Sequence, residues 1–146
     1  MQTYSFLEVN ASLVGPGGFI SLGAGAGAAE EGISIEATSE IGTMTIGADG
    51  KGMHTLHADK SGRITVRLLK TSPVNALLSA MYNFQTAAGA TYGQNTLTLT
   101  DANRGDVVTC RQVGFTKAPP LSYAKEAGAI EWEFNAIEID RTLAGV

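Results

Sequence analysis

Along most of its length this chain alternates apolar and polar residues one by one. Ile33 and Ile35 alternate with Ser34 and Glu36, and Met44 and Ile46 with Thr43 and Thr45. Ile64, Val66 and Leu68 alternate with Arg63, Thr65 and Arg67, Leu97 and Leu99 with Thr96, Thr98 and Thr100, and Ile130, Trp132 and Phe134 with Glu131 and Glu133. Tyr4 and Phe6 against Thr3 and Ser5, the short run Phe19–Leu22 after "GPGG", and "DVVTCRQVGF" extend the series. A period of two is that of extended strands with one face on a core, and turn residues separate the runs. The last run slips phase: its apolar positions are even through Phe134 and odd at Ile137 and Ile139. A β-bulge or a bend near Asn135–Ala136 is expected there.

One segment keeps a different period. Val74, Leu77, Leu78, Met81 and Tyr82 stand at i, i+3, i+4, i+7 and i+8, which predicts a helix over about residues 73–88. Ser72 suits its cap, Pro73 its first position and Gly89 its stop. Strands, one helix, then more strands predict a mainly β fold: an antiparallel two-sheet sandwich or barrel with one flanking helix, in a single domain over 1–146. Met44, Ile46, Ile64, Val66, Leu77, Leu78, Met81, Leu97, Leu99, Trp132 and Phe134 are expected in its core. Two stretches fit no regular element: the Gly/Ala connection Gly23–Gly32, and Asp49–Ser61, which is longer than the 2–5 residues of most hairpin loops. Loops of that length usually carry function.

Composition bounds the partners. A net charge of −4 argues against a basic nucleic-acid surface. Only 16% of residues are charged, against roughly 25% in typical soluble domains. A small domain with so few charges is expected to cover part of its surface with copies of itself. Cys110 is the one cysteine; no intrachain disulfide can form, a reducing compartment is expected, and a small core residue is its expected role. No basic and apolar leader opens the chain and no apolar run is long enough for a bilayer, so neither secretion nor membrane anchoring is expected. The glycosylation pattern Asn10-Ala11-Ser12 then carries no meaning.

Candidate chemistry is thin. His54 and His57 could share a metal, with Asp49 or Asp59 as third ligand, only on one helical face; in an extended chain an offset of three places them on opposite faces. A small β-fold metal- or ligand-binding or hydrolytic domain using His54 and His57 is the alternative reading. Gly23-x-Gly25-x-x-Ala28 mimics a dinucleotide fingerprint, but a strand follows it where the fingerprint needs a helix. Asp49–Gly52 lacks the spaced oxygens of a calcium loop. Glu131 and Glu133 read as a solvated or interface face. Arg63, Arg67 and Lys70 read as partners of acidic neighbours. No catalytic, cofactor or metal residues are assigned, and an enzyme is not expected.

The blocks "SLGAGAGAAEEGISIE", "MTIGADGKGMHTLHADKSGRITVRLLKTSPVNALLSAMYNFQTA", "GQNTLTLTD", "NRGDVVTCRQVGF" and "YAKEAGAIEWEFNAIEID" resemble the tail tube proteins of contractile-tailed phages. That family is similar in fold to the haemolysin-coregulated protein of type VI secretion. The resemblance implies a virion structural protein of the phage tail, assembled in the bacterial host cytoplasm. It implies hexameric rings stacked helically into a hollow tube, the conduit for DNA ejection. It implies the tail sheath protein, a tape measure protein in the lumen, and baseplate and tail terminator proteins as partners, with DNA only in passage. A tube-like role at the baseplate or terminator is its near variant. In such a tube the stretch 49–61 becomes a contact loop between subunits or rings: Met53 and Leu56 as apolar anchors, Asp49, Lys51, Asp59 and Lys60 as charges, His54 and His57 beside them. Ser34, Glu36, Thr43, Thr45, Thr96, Thr98 and Thr100 are expected on the lumen or a subunit interface.

Overall fold

A computed structural model describes residues 9–22, 28–101, 104–121 and 128–143. Among the described residues the alternation is realised as nine strands: β1 Val9–Gly15, β2 Gly18–Ser21, β3 Ala28–Ala37, β4 Gly42–Ile46, β5 Gly52–Leu56, β6 Gly62–Leu69, β7 Asn95–Asp101, β8 Asp106–Lys117 and β9 Ala129–Thr142. The helix α1, Val74–Thr86, stands between β6 and β7. Seven strands form one antiparallel sheet in the order β2-β1-β7-β8-β9-β6-β3, while β4 and β5 pair only with each other. Ala11 and Leu13 of β1 and Ile33 and Ile35 of β3 sit in opposite halves of the sheet, yet meet in one core. The two layers of the sandwich or barrel are therefore the halves of one rolled sheet. Tyr4 and Phe6 lie outside the described residues.

The core follows the period-two faces. Ile64, Val66, Leu68, Leu97, Trp132 and Phe134 are buried, with Leu99 packed against them. Phe115 centres an aromatic cluster, its ring 4.8 Å from that of Phe134, 5.4 Å from Tyr82 and 6.0 Å from Trp132. Cys110 is fully buried, and that burial pushes its thiol up to about 11, which keeps it an inert thiol.

The helix begins at Val74, one residue later than expected, with Pro73 in the cap position, and the Val74 N–H donates to the Ser72 hydroxyl at 3.3 Å. It stops at Thr86, short of Gly89, because hydroxyls take its last carbonyls. Thr86 donates to the Tyr82 carbonyl at 2.8 Å and Thr91 to that of Gln85 at 3.0 Å. Its buried line is Val74, Leu78, Met81 and Gln85, so Leu77, expected in the core, faces outward. Gln85 is fully buried and trades two amide bonds with Asn95 at 2.7 Å while donating to the Pro16 carbonyl at 2.8 Å. This satisfied pair ties the helix end to β7 and to the β1–β2 turn. Left unsatisfied, such a buried group costs about 1–3 kcal/mol.

The phase slip of the last strand is real but lies one step later than expected. β9 runs without interruption past Asn135 with Ala136 buried, and the inward side changes between Ala136 and Ile139, leaving Ile137 exposed. β8 changes sides at the same level, between buried Cys110 and Val113, through Gln112 at φ 53. At this level the register between the two strands holds, Arg111 opposite Glu138 and Val113 opposite Ala136, and shifts only past Phe115, while β8 bulges against β7. Both strands thus bend together, and the cause lies in β8. The Gly/Ala connection is shorter than expected, because β3 already begins at Ala28.

Candidate functional site: an exposed apolar hairpin

The stretch Asp49–Ser61 is not one long loop. Gly52–Leu56 is a strand, and it pairs with Gly42–Ile46 instead of leaving that segment to pair with Gly62–Leu69. A tight tip joins them: the Gly50 N–H donates to the Gly47 carbonyl at 3.0 Å, and the Gly47 N–H to the Lys51 carbonyl at 2.8 Å. Gly50 sits at φ +84, a conformation open to glycine, and this is the three-residue hairpin loop with a glycine bulge. Asp49 accepts the Lys51 N–H at 3.1 Å.

Every residue of β4 and β5 is exposed. Register pairs Met44 with His54 and Thr45 with Met53. Met44, Ile46, His54 and Leu56 therefore share one face, and Thr43, Thr45, Met53 and Thr55 the other, continued by Ile41 and His57. Met44 is 63% exposed and Leu56 82%. Met44 and Ile46, expected in the core, belong to this outer surface. Their alternation is genuine, but among the described residues no layer covers the apolar side. The same register puts His54 and His57 on opposite faces, so they cannot grip one ion. Among the described residues no three His, Cys, Asp or Glu cluster as a metal site.

The base of the hairpin is tied down. Asp59 accepts the Ser61 N–H at 2.9 Å, the Ser61 hydroxyl at 2.6 Å and the Ser39 hydroxyl at 2.8 Å, bridging both legs. The Lys60 carbonyl accepts the Ile139 N–H at 3.0 Å. Hydrogen bonds to the charged form, Ser61 first and then Ser39, hold the Asp59 carboxyl below its ordinary value. A depressed carboxylate contributes stability above its unfolded pKa of about 3.9 and loses it as pH falls through the lower folded value. The Ser61 amide should therefore exchange its hydrogen faster, relative to β6 amides, only below pH 4. Asp59→Asn should show the fast exchange already at pH 7. Unchanged Ser61 protection in that variant would refute the clamp.

The other expected interface residues are spread over three places. Ser34 and Glu36 lie on edge strand β3, Thr96, Thr98 and Thr100 on the outer side of β7, and Thr43 and Thr45 on the hairpin. On the outer sheet face the arginines meet carboxylates: Arg67 contacts Glu131 at 2.8 Å, and Arg111 contacts both Glu138 at 2.9 Å and Asp140. Sequence reasoning missed Ile41, Met44 and Ile46 as surface. The signal that could have found them was Asp49-Gly50 between "TMTI" and "MHTL", a short-range hairpin mark.

No curated protein matches the chain significantly in sequence. Solved structures do match its fold. A chain of the baseplate of the anti-feeding prophage aligns with TM-score 0.61 at 6% identity, covering 100% of this chain and 99% of that one. A chain of the extended sheath–tube complex of an extracellular contractile injection system, PVC, aligns with TM-score 0.59 at 13% identity, covering 97% and 92%. A chain of the tube-terminating cap of the anti-feeding prophage aligns with TM-score 0.57 at 10% identity, covering 99% and 93%. The family profile described as Bacteriophage PhiTE tail tube protein matches residues 1–144, and the chain belongs to that family of phage tail tube proteins.

Proposed function

We propose that this protein is the tube subunit of a contractile phage tail, a single tail-tube-like domain over 1–146. Six copies close a ring, and rings stack into the hollow tube through which DNA leaves. No bond is made or broken; the work is assembly and passive conduction. Sheath, baseplate and terminator proteins are its partners outside and at the ends, and a tape measure protein fills the lumen. Ser34, Glu36, Thr96, Thr98 and Thr100 serve the lumen wall or the contact between subunits. Host cytoplasm is where assembly takes place. A net charge of −4 per copy suits the conduit, since a wall that does not collect phosphates lets DNA slide.

The observation that carries this reading is the hairpin. A pair of strands with no charged residue, exposed on both faces, has no reason to persist in a solitary molecule. Its tip and base charges, Asp49, Lys51, Asp59 and Lys60, rim the apolar anchors as at an interface. The His57 N–H donates to the Ile41 carbonyl at 2.8 Å, so residues 41–57 can be replaced by two glycines across a short gap. That variant should keep its circular dichroism and melt within about 2 °C of wild type, as surface changes do. Wild type should form rings and tubes in negative-stain micrographs, and the variant none. Normal tubes from the variant overturn the hairpin's role. Wild-type protein that stays monomeric when concentrated and is absent from virus particles overturns the tube itself.

A further inference from the structure

The helix carries a second apolar surface that stays about half exposed among the described residues, with the Phe84 ring at one end lying beside Gly17 of the β1–β2 turn. No Asp, Glu, Lys or Arg occurs anywhere in Val74–Thr86. Its core side is Val74, Leu78, Met81 and Gln85. Away from that line lie Leu77, Ala80 and Phe84, at i, i+3 and i+7, with Leu77 53% and Phe84 54% exposed. A helix face turned to water ordinarily carries charged and polar residues. This one is apolar instead, and a contiguous apolar patch marks a surface that meets another.

The hairpin has the matching properties. Its Met44–Ile46–Leu56 face is mainly apolar, with His54 opposite Met44 as the one polar side chain on it, and no Asp, Glu, Lys or Arg occurs in either strand. Five residues of strand span about 17 Å, and 13 residues of helix about 20 Å. Neither surface places an unpaired charge against the other, so burying the two together incurs no ionic desolvation. They cannot meet inside one copy. The hairpin leads into β6 at Gly62, and the helix leaves β6 after Leu69. Eight residues of strand, roughly 26 Å, hold them apart. A contact between two different patches of identical copies is heterologous, and it repeats from copy to copy without limit unless rotation closes it.

We propose that the Leu77–Ala80–Phe84 face of α1 is the socket for the Met44–Ile46–Leu56 face of the β4–β5 hairpin of a second copy of this chain. This rests on the tube reading and specifies which surfaces join successive rings. Phe19, exposed on the adjoining β2, extends the socket toward the β1–β2 turn.

Cysteine pairs test it on the full chain, since Cys110 is fully buried and out of reach. Met44→Cys is combined with Leu77→Cys or with Ala80→Cys, and assembled protein is treated with a short bismaleimide. Either pair should give a ladder extending beyond dimers on a denaturing gel, whereas Met44→Cys alone can give dimers at most. Independently, Leu77→Glu and Ala80→Glu, both checked for folding by circular dichroism, should each cut tube length at least tenfold. A missing ladder with wild-type-like tubes present, or full-length tubes from both Glu variants, overturns the socket and leaves the tube reading standing. Wild-type protein that forms neither rings nor tubes overturns the tube reading, and a ladder under those conditions still supports the socket.

Discussion

Phe115→Ala lowers folding stability by about 3–5 kcal/mol, the usual cost of deleting a buried phenylalanine ring. At roughly 2–4 °C per kcal/mol for a chain of this size, the melting midpoint should fall by roughly 6–20 °C. The ring stands where three elements converge: Tyr82 from α1, Trp132 and Phe134 from β9, with Phe115 itself on β8. Two of the contacts are edge-on, at 87° and 69°, a geometry that adds about 0.5–1.5 kcal/mol per pair beyond area. The backbone here is held separately, because the Tyr92 hydroxyl donates to the Phe115 carbonyl, and alanine keeps that bond. The loss therefore reports the cavity and the ring contacts. Phe115→Leu preserves most of the volume and should cost less than about 1.5 kcal/mol. Thermal melts of the two variants decide the matter: an alanine variant within 3 °C of wild type would mean the core can collapse around the gap, and that Phe115 is not its centre.

Alternation made the strands of the body legible, because a half-buried strand must place apolar residues on one side. Ile64, Val66, Leu97, Trp132 and Phe134 went where their parity sent them. Met44 and Ile46 have the same parity and lie in water. Periodicity reports that a face will be covered, and it is silent on whether this chain or another copy covers it. That is why parity alone places Met44 and Ile46 in the core, although their strand pairs with Gly52–Leu56 in an exposed hairpin. The helix shows the same limit. Its apolar stripe is wide enough to hold two faces, and only tertiary placement turned Leu78 inward and Leu77 outward. Gln85 lies on the inward line but is polar, so a search for apolar residues passes over it. What rescues it is Asn95, ten residues on, a pairing that local pattern cannot reveal. Gln112 is hidden for a similar reason: a left-handed residue other than glycine is set by the neighbouring strands and leaves no mark in composition.

Gly62→Ala should be nearly as damaging as the loss of Phe115, through the opposite fault. Gly62 opens β6 at the point where the hairpin joins the body, pairs with Ala37 on one side and Ala136 on the other, and is buried. A Cβ there would lie 2.5 Å from the Glu36 carbonyl oxygen and still closer to Cδ1 of Ile139. The isoleucine tip can swing aside, but the carbonyl belongs to the backbone of β3 and can yield only if that strand shifts. Overpacking of this kind costs about 3 kcal/mol, a fall of roughly 6–12 °C in the melting midpoint. Gly89→Ala is the control, since nothing lies within 4 Å of its added carbon and the change should be neutral or mildly stabilising. Combining Gly62→Ala with Ile139→Ala separates the two clashes. If the side chain alone were at fault, the double variant would melt with Ile139→Ala; the backbone clash predicts that it melts well below. Because Ser61 precedes Gly62 directly and is bonded to Asp59, the displaced strand also re-aims the hairpin. Any Gly62→Ala protein that does fold should then assemble poorly, and full-length tubes from it would show that the hairpin's direction is not set at this glycine.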